Sequence, residues 1–144
     1  MILFLWLNFA LLIKKLRVAV EEDLNQISYD IIGCAFKIHS ALGPGLLEST
    51  YQTCLEYELA NLGYNVDVQV PMPINYKELK MDRGYRLDLL VNNSVLVELK
   101  SVEAISSVHI AQILTYLKLS GKSLGLLINF NVKDLKKGIK RFVI

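Results

Sequence analysis

The chain has 144 residues, 53% hydrophobic and 21% charged, with a formal net charge of +2. That length supports one domain around one core, and the composition excludes a disordered or fibrous chain. A balance so near neutral gives no global attraction to nucleic acid, so any such contact must come from local patches.

The first thirteen residues, MILFLWLNFALLI, are apolar except Asn8, and Lys14, Lys15 and Arg17 follow them. This run is shorter than the roughly 20 residues a helix needs to cross a bilayer. A secretory signal carries its charge before the apolar run and a small-residue cleavage site after it, and neither feature is present. Three readings stay open for residues 1–20: a translated upstream extension of a domain that starts near Val18 or Val20, a short membrane or interface anchor, or an extra helix packed on the domain or on a partner. Residues 21–144 are expected to form a single domain. Cys34 and Cys54 lie in apolar, helix-like segments with no CxxC spacing. They are expected to be reduced core residues of a cytoplasmic protein, not zinc ligands.

Apolar residues recur at helical spacing over residues 27–42, and Gly43-Pro44-Gly45 breaks the pattern. A second helix is predicted over 46–62, stopped by Gly63. Residues 65–76 alternate at Val66, Val68 and Val70, a strand whose prolines, Pro71 and Pro73, push its end to an edge or bulge. A hairpin spans 85–91 and 95–100. A third helix covers 107–119, and SLGLLINF, residues 123–130, is a strand apolar enough to be covered on both faces. The basic tail, with Lys133, Lys136, Lys137, Lys140 and Arg141, holds a final short helix or strand. A helix between the third and fourth strands implies a crossover, hence a mixed sheet in an α/β fold.

The hairpin RLDLLVNNSVLVELK places Asp88, Glu98 and Lys100 in strands that otherwise read as buried. A two-residue Asn92-Asn93 turn would put Asp88 and Glu98 on opposite faces. A three-residue loop Asn92-Asn93-Ser94 pairs Val91 with Val95 and sets Asp88 directly opposite Glu98, with Lys100 on the same face. The second register is the one that makes chemical sense. Two adjacent carboxylates repel and are costly to desolvate, and a divalent cation between them relieves both costs. Oxygen ligands suit Mg²⁺ or Mn²⁺. A protonated lysine is no ligand, but it can orient an attacking water or neutralise a phosphate. The competing reading is a salt bridge on a solvated sheet face, with Lys100 satisfying both acids.

Two other segments carry polar residues at helical spacing. GPGLLESTY, residues 43–51, opens the second helix, with Glu48 in its first turns and Tyr51 three residues on. In HIAQILTYL, His109, Gln112 and Tyr116 form a polar stripe, which an ordinary solvated face also explains. His39 is read as a satisfied structural histidine.

Gly45, Glu48 and Tyr51 match G-x-x-E-x-x-Y, and together with VPMPINY, RLDLLV, VELKSV, the Gln112–Tyr116 pair and GLLINF they resemble the GxxExxY proteins. That family is similar to the PD-(D/E)XK nuclease superfamily. The resemblance runs from about Glu21 to the C-terminus and leaves out the apolar N-terminal segment. It implies a restriction-endonuclease-like core, a mixed central sheet flanked by helices. It implies Asp88, Glu98 and the Leu99 carbonyl as metal ligands, Lys100 as the catalytic lysine, and Glu48 as a further acid or a second-metal ligand. Gln112 and Tyr116 resemble the QxxxY pair of RecB-type exonucleases, which supports the site and contacts nucleic acid, and Tyr51 is expected to support the site with them. Leu87 stands where the motif has proline, with the acid retained.

The expected function is a Mg²⁺- or Mn²⁺-dependent nuclease acting on nucleic acid, DNA ahead of RNA. The alternative is a module of the same fold that binds or assembles on nucleic acid without turnover, in which the basic tail supplies phosphate contacts. The small chain size points to a homodimer or a protein partner for holding substrate.

Overall fold

A computed structural model describes residues 1–144. Helix α1 spans Ile2–Leu42, α2 spans Glu48–Asn61 and α3 spans Ser107–Ser120. The strands are β1 Val66–Pro71, β2 Ile74–Tyr76, β3 Leu79–Met81, β4 Arg86–Val91, β5 Val95–Lys100, β6 Leu124–Asn129 and β7 Ile139–Val143. Five strands form one sheet in the order β1-β4-β5-β6-β7. Only β5 and β6 run parallel, joined by the crossover through α3, so the sheet is mixed as expected. Strand β1, with its proline end, is an edge.

Helices cover both faces. Ile27, Ile31, Cys34, Ala35 and Ile38 of α1 and Tyr51, Leu55 and Leu59 of α2 pack on Leu89, Val91, Val95, Val97, Leu99 and Leu126. Ile113, Tyr116 and Leu117 of α3 pack on Leu96 and Leu127 on the other side. Gly125 permits that approach, because a Cβ there would lie 3.1 Å from Leu117 and 3.2 Å from Ile113. Alternation therefore sends Leu96, Glu98 and Lys100 toward α3.

Three elements differ from expectation. The strand expected over 65–76 splits at Met72–Pro73, where Pro71 and Pro73 lack the N–H that would carry the ladder on. Its second part pairs with β3 as a separate two-stranded hairpin. The tail holds a 3₁₀ turn, Leu135–Gly138, and then β7, which closes the far edge of the sheet. Helix α1 begins at Ile2, not near residue 27.

The early part of α1 makes no core. Ile2, Leu3, Phe4, Leu5, Trp6, Leu7, Phe9, Leu11 and Leu12 are all more than half exposed. An apolar surface on every side of a helix fits immersion or burial better than packing of one face. No helix of the chain is long and apolar enough to cross a membrane. Because the core begins at Ile27, deletion of residues 1–12 is expected to move Tm by no more than about 2 °C, the effect of about 0.5 kcal/mol. The deletion should also abolish detergent binding. A large fall in Tm on differential scanning calorimetry would mean that the segment packs on the domain.

Candidate active site

The β4–β5 ladder pairs Val91 with Val95, Leu90 with Leu96 and Leu89 with Val97. This is the register of the three-residue loop. Asn92 and Asn93 both take left-handed conformations, which asparagine tolerates better than most residues. Asp88 and Glu98 are the next pair in that register, but backbone pairing stops before them. The Asp88 N–H donates instead to Glu98 Oε1 at 3.2 Å, and the Leu99 N–H donates to Asp88 Oδ2 at 2.9 Å. Each carboxylate thus satisfies a backbone donor that the ladder no longer reaches.

The ladder stops because β1 and β4 rotate there together. Gln69 faces Asp88 between the pairs Val68–Leu89 and Val70–Leu87. Leu89 and Val68 pack with α1 and α2, whereas Leu87 and Val70 pack with α3. Two residues that would share a face in a regular strand therefore enter opposite layers, and the turn falls on Asp88. The left-handed φ of Gln69 is costly for a non-glycine residue and marks this step. Its side chain donates to Gln52 Oε1 at 2.7 Å and to Asp88 Oδ1 at 3.4 Å. Gln69 and Gln52 escaped the sequence reading, since an ordinary glutamine in an alternating strand carries no mark of a positive φ.

Glu98 is only 3% exposed. Burial, and then the charge of Asp88, push its pKa from the ordinary 4.5 up to about 8. The salt-bridge reading does not hold. Lys37–Glu58 is the chain's one ion pair, and Lys100 reaches neither acid within bonding distance. Lys100 Nζ donates instead to Gln112 Oε1 at 3.2 Å, and Gln112 Nε2 donates to the Tyr116 hydroxyl at 3.1 Å. Tyr116 is buried, and burial, together with the charges of Glu98 and Asp88, raises its pKa. Lys100, Gln112 and Tyr116 thus form one bonded chain beside the carboxylates. His109 stands apart from it: its Nδ1 accepts from the Ser106 N–H, and its own N–H donates to Ser106 Oγ, a capping box that starts α3.

Glu48 reaches the end of β5 and not the carboxylate pair. Its Oε1 accepts from the Ser101 N–H at 3.3 Å, one residue past Lys100. No group of three or more His, Cys, Asp or Glu side chains stands at metal-binding spacing. Tyr51 is fully buried. Its hydroxyl donates to the Gly43 carbonyl at 2.6 Å and accepts from the Leu46 N–H at 3.2 Å, and its ring stacks on Phe130 at 4.2 Å. Gly43 and Gly45 supply the positive φ that this loop needs. Asn129, the one polar residue of an otherwise apolar strand, is also buried. It accepts from the Val102 N–H at 3.1 Å and donates to the Val102 carbonyl at 2.9 Å, so it fixes the chain just beyond Lys100.

The donor set fits a hard divalent cation. Asp88, Glu98 and the Leu99 carbonyl offer oxygens only. The raised pKa of Glu98 shows that the two carboxylates are under-compensated by the protein itself.

A mixed sheet covered by helices on both faces, with this pair and lysine at the end of a central hairpin, defines a restriction-endonuclease-like α/β protein. A family model for the PD-(D/E)XK nuclease superfamily matches residues 25–142, and the chain belongs to that superfamily. The match is at the level of the superfamily, so the narrower likeness to GxxExxY proteins rests on the motif residues alone. No curated protein and no solved structure matches the chain.

The Glu98 shift sets a pH dependence. Between about 4.5 and 8 the folded chain keeps a proton that the unfolded chain has released. The stability associated with that proton is full below the lower value and is lost as pH rises through the upper one. Urea unfolding of metal-free protein from pH 5 to 8 should show this loss, with a slope of up to about 1.4 kcal/mol per pH unit. Glu98→Gln should flatten it, and an unchanged slope in that variant would place the titration elsewhere.

Proposed function

We propose that this chain is a divalent-metal-dependent nuclease that hydrolyses phosphodiester bonds in nucleic acid, DNA ahead of RNA. The observation that carries the reading is the Asp88–Glu98 pair, with Glu98 buried and a lysine beside it that forms an ion pair with neither acid. Asp88, Glu98 and the Leu99 carbonyl would hold Mg²⁺ or Mn²⁺, with Glu48 at the margin. Once bound, the ion supplies activation of water and neutralisation of phosphate charge.

The remaining roles belong to the chain. Gln112 holds the Lys100 ammonium away from the carboxylates, so its charge is free to face the phosphate as negative charge develops. Tyr116 holds Gln112. Gln69 holds the outer oxygen of Asp88. Tyr51 fixes the loop that carries Glu48 to the end of β5. Binding without turnover is favoured by one observation, that Glu48 does not join the acidic pair.

Linear and circular DNA and RNA, single- and double-stranded, should be tested with Mn²⁺ or Mg²⁺. Asp88→Asn and Lys100→Ala are each expected to lower cleavage by about 10²–10³-fold with the circular dichroism spectrum unchanged. Equal cleavage by wild type and both variants would assign the activity to something other than this site. Metal binding by the wild type without any cleavage would favour the binding module.

A further inference from the structure

A groove of about 490 Å³ lies between the β2–β3 hairpin and the outer face of α3. That volume is within the range of about 300–1,000 Å³ typical of small-ligand sites. Ile74, Met81 and Tyr85 form one wall, and Ala111, Thr115 and Leu119 form the other. At one end the groove is lined by Gln112 and Tyr116, the two residues that hold Lys100. The hairpin pairs with no strand of the main sheet and forms one side of the groove.

We propose that this groove is a nucleobase subsite that takes one unpaired base of a single-stranded stretch, with the adjoining phosphate at Lys100. The inference deepens the nuclease reading and rests on it for the position of the phosphate. Three observations select this occupant. The walls are apolar and include the half-exposed ring of Tyr85, which suits the flat face of a base. Arg83 lines the groove, and Lys77, Lys80 and Arg86 lie on the same segment against Glu78 and Asp82, a local positive excess that matches a phosphate backbone. The groove also shares Gln112 with the site, the residue that bonds Lys100, so a base held there brings its own strand toward Lys100. Bases of an intact duplex are stacked inward and cannot enter, which makes unpaired ends and single strands the favoured substrate class.

The test uses the full chain in EDTA, where cleavage is stopped. Binding of a labelled single-stranded oligodeoxynucleotide and of a blunt duplex of equal length is measured by fluorescence anisotropy. Ala111→Trp and Thr115→Trp fill the groove from exposed positions of α3, so neither substitution touches the core. Both are expected to weaken single-strand binding at least tenfold and duplex binding less than twofold. A single 2-aminopurine in the strand should change its emission on wild-type protein and not on either variant. In the Mn²⁺ cleavage assay the same variants should raise KM for single strands and leave kcat unchanged. Wild-type protein that fails to bind single strands overturns the proposal. Single-strand binding unchanged in both filled variants also overturns it and leaves the groove to an apolar protein side chain. Groove-dependent binding without cleavage would support the subsite and sink the nuclease reading alone. Cleavage that ignores the filled groove would do the reverse.

Discussion

The site depends on the step where β4 parts from β5. A regular sheet would use the Asp88 and Leu99 amides in its backbone ladders and leave the two side chains crowded on one face. Here β4 rotates at Asp88, and the two carboxylates take over both amides. The exchange puts the acids in contact and holds each at a fixed place. It also leaves Glu98 buried beside a like charge, with a pKa near 8. Removing a proton from this pair without adding a cation is expensive in so buried a place.

The rest of the fold holds that step in place. The left-handed turn at Gln69 lets β1 follow the rotation, and its side chain caps Asp88. Asn129 ties the segment after Lys100 to β6, and Ser101 donates both to Glu48 at the start of α2 and to the Leu46 carbonyl of the loop before it. Tyr51, stacked on Phe130, keeps that loop in position from inside the core. On the opposite face, α3 presents Gln112 and Tyr116 one turn apart, and the lysine is drawn to them instead of to the acids. Four elements distant in sequence thus converge on the end of one hairpin.

Much of this was legible because it follows from short-range rules. The turn residues alone allowed two registers, the pairing of Asp88 with Glu98 selected the three-residue loop, and the observed ladder has that register. The apolar run over β6 and the helix before it implied the parallel crossover. What escaped depended on tertiary context. A left-handed turn at Gln69 has no signature in VDVQVP, and Pro71 and Pro73 mark the end of β1 without showing that the chain beyond them pairs as a second, small hairpin. His109 sits in the polar stripe of α3 by spacing, yet it serves Ser106 as a cap. Tyr51 lies in the same motif as Glu48 but points into the core. The apolar start of α1 was noticed, but its continuity with the first core helix could not be told from composition alone.

The central claim is that the acid pair is built to exchange its retained proton for a divalent cation. Its most direct test is calorimetric titration of Mn²⁺ into the wild-type chain at pH 7, repeated in buffers of different ionisation enthalpy to count protons. Because Glu98 is still protonated at that pH, binding should release roughly one proton per ion. Binding with no proton released, or no binding at millimolar metal, would contradict the account.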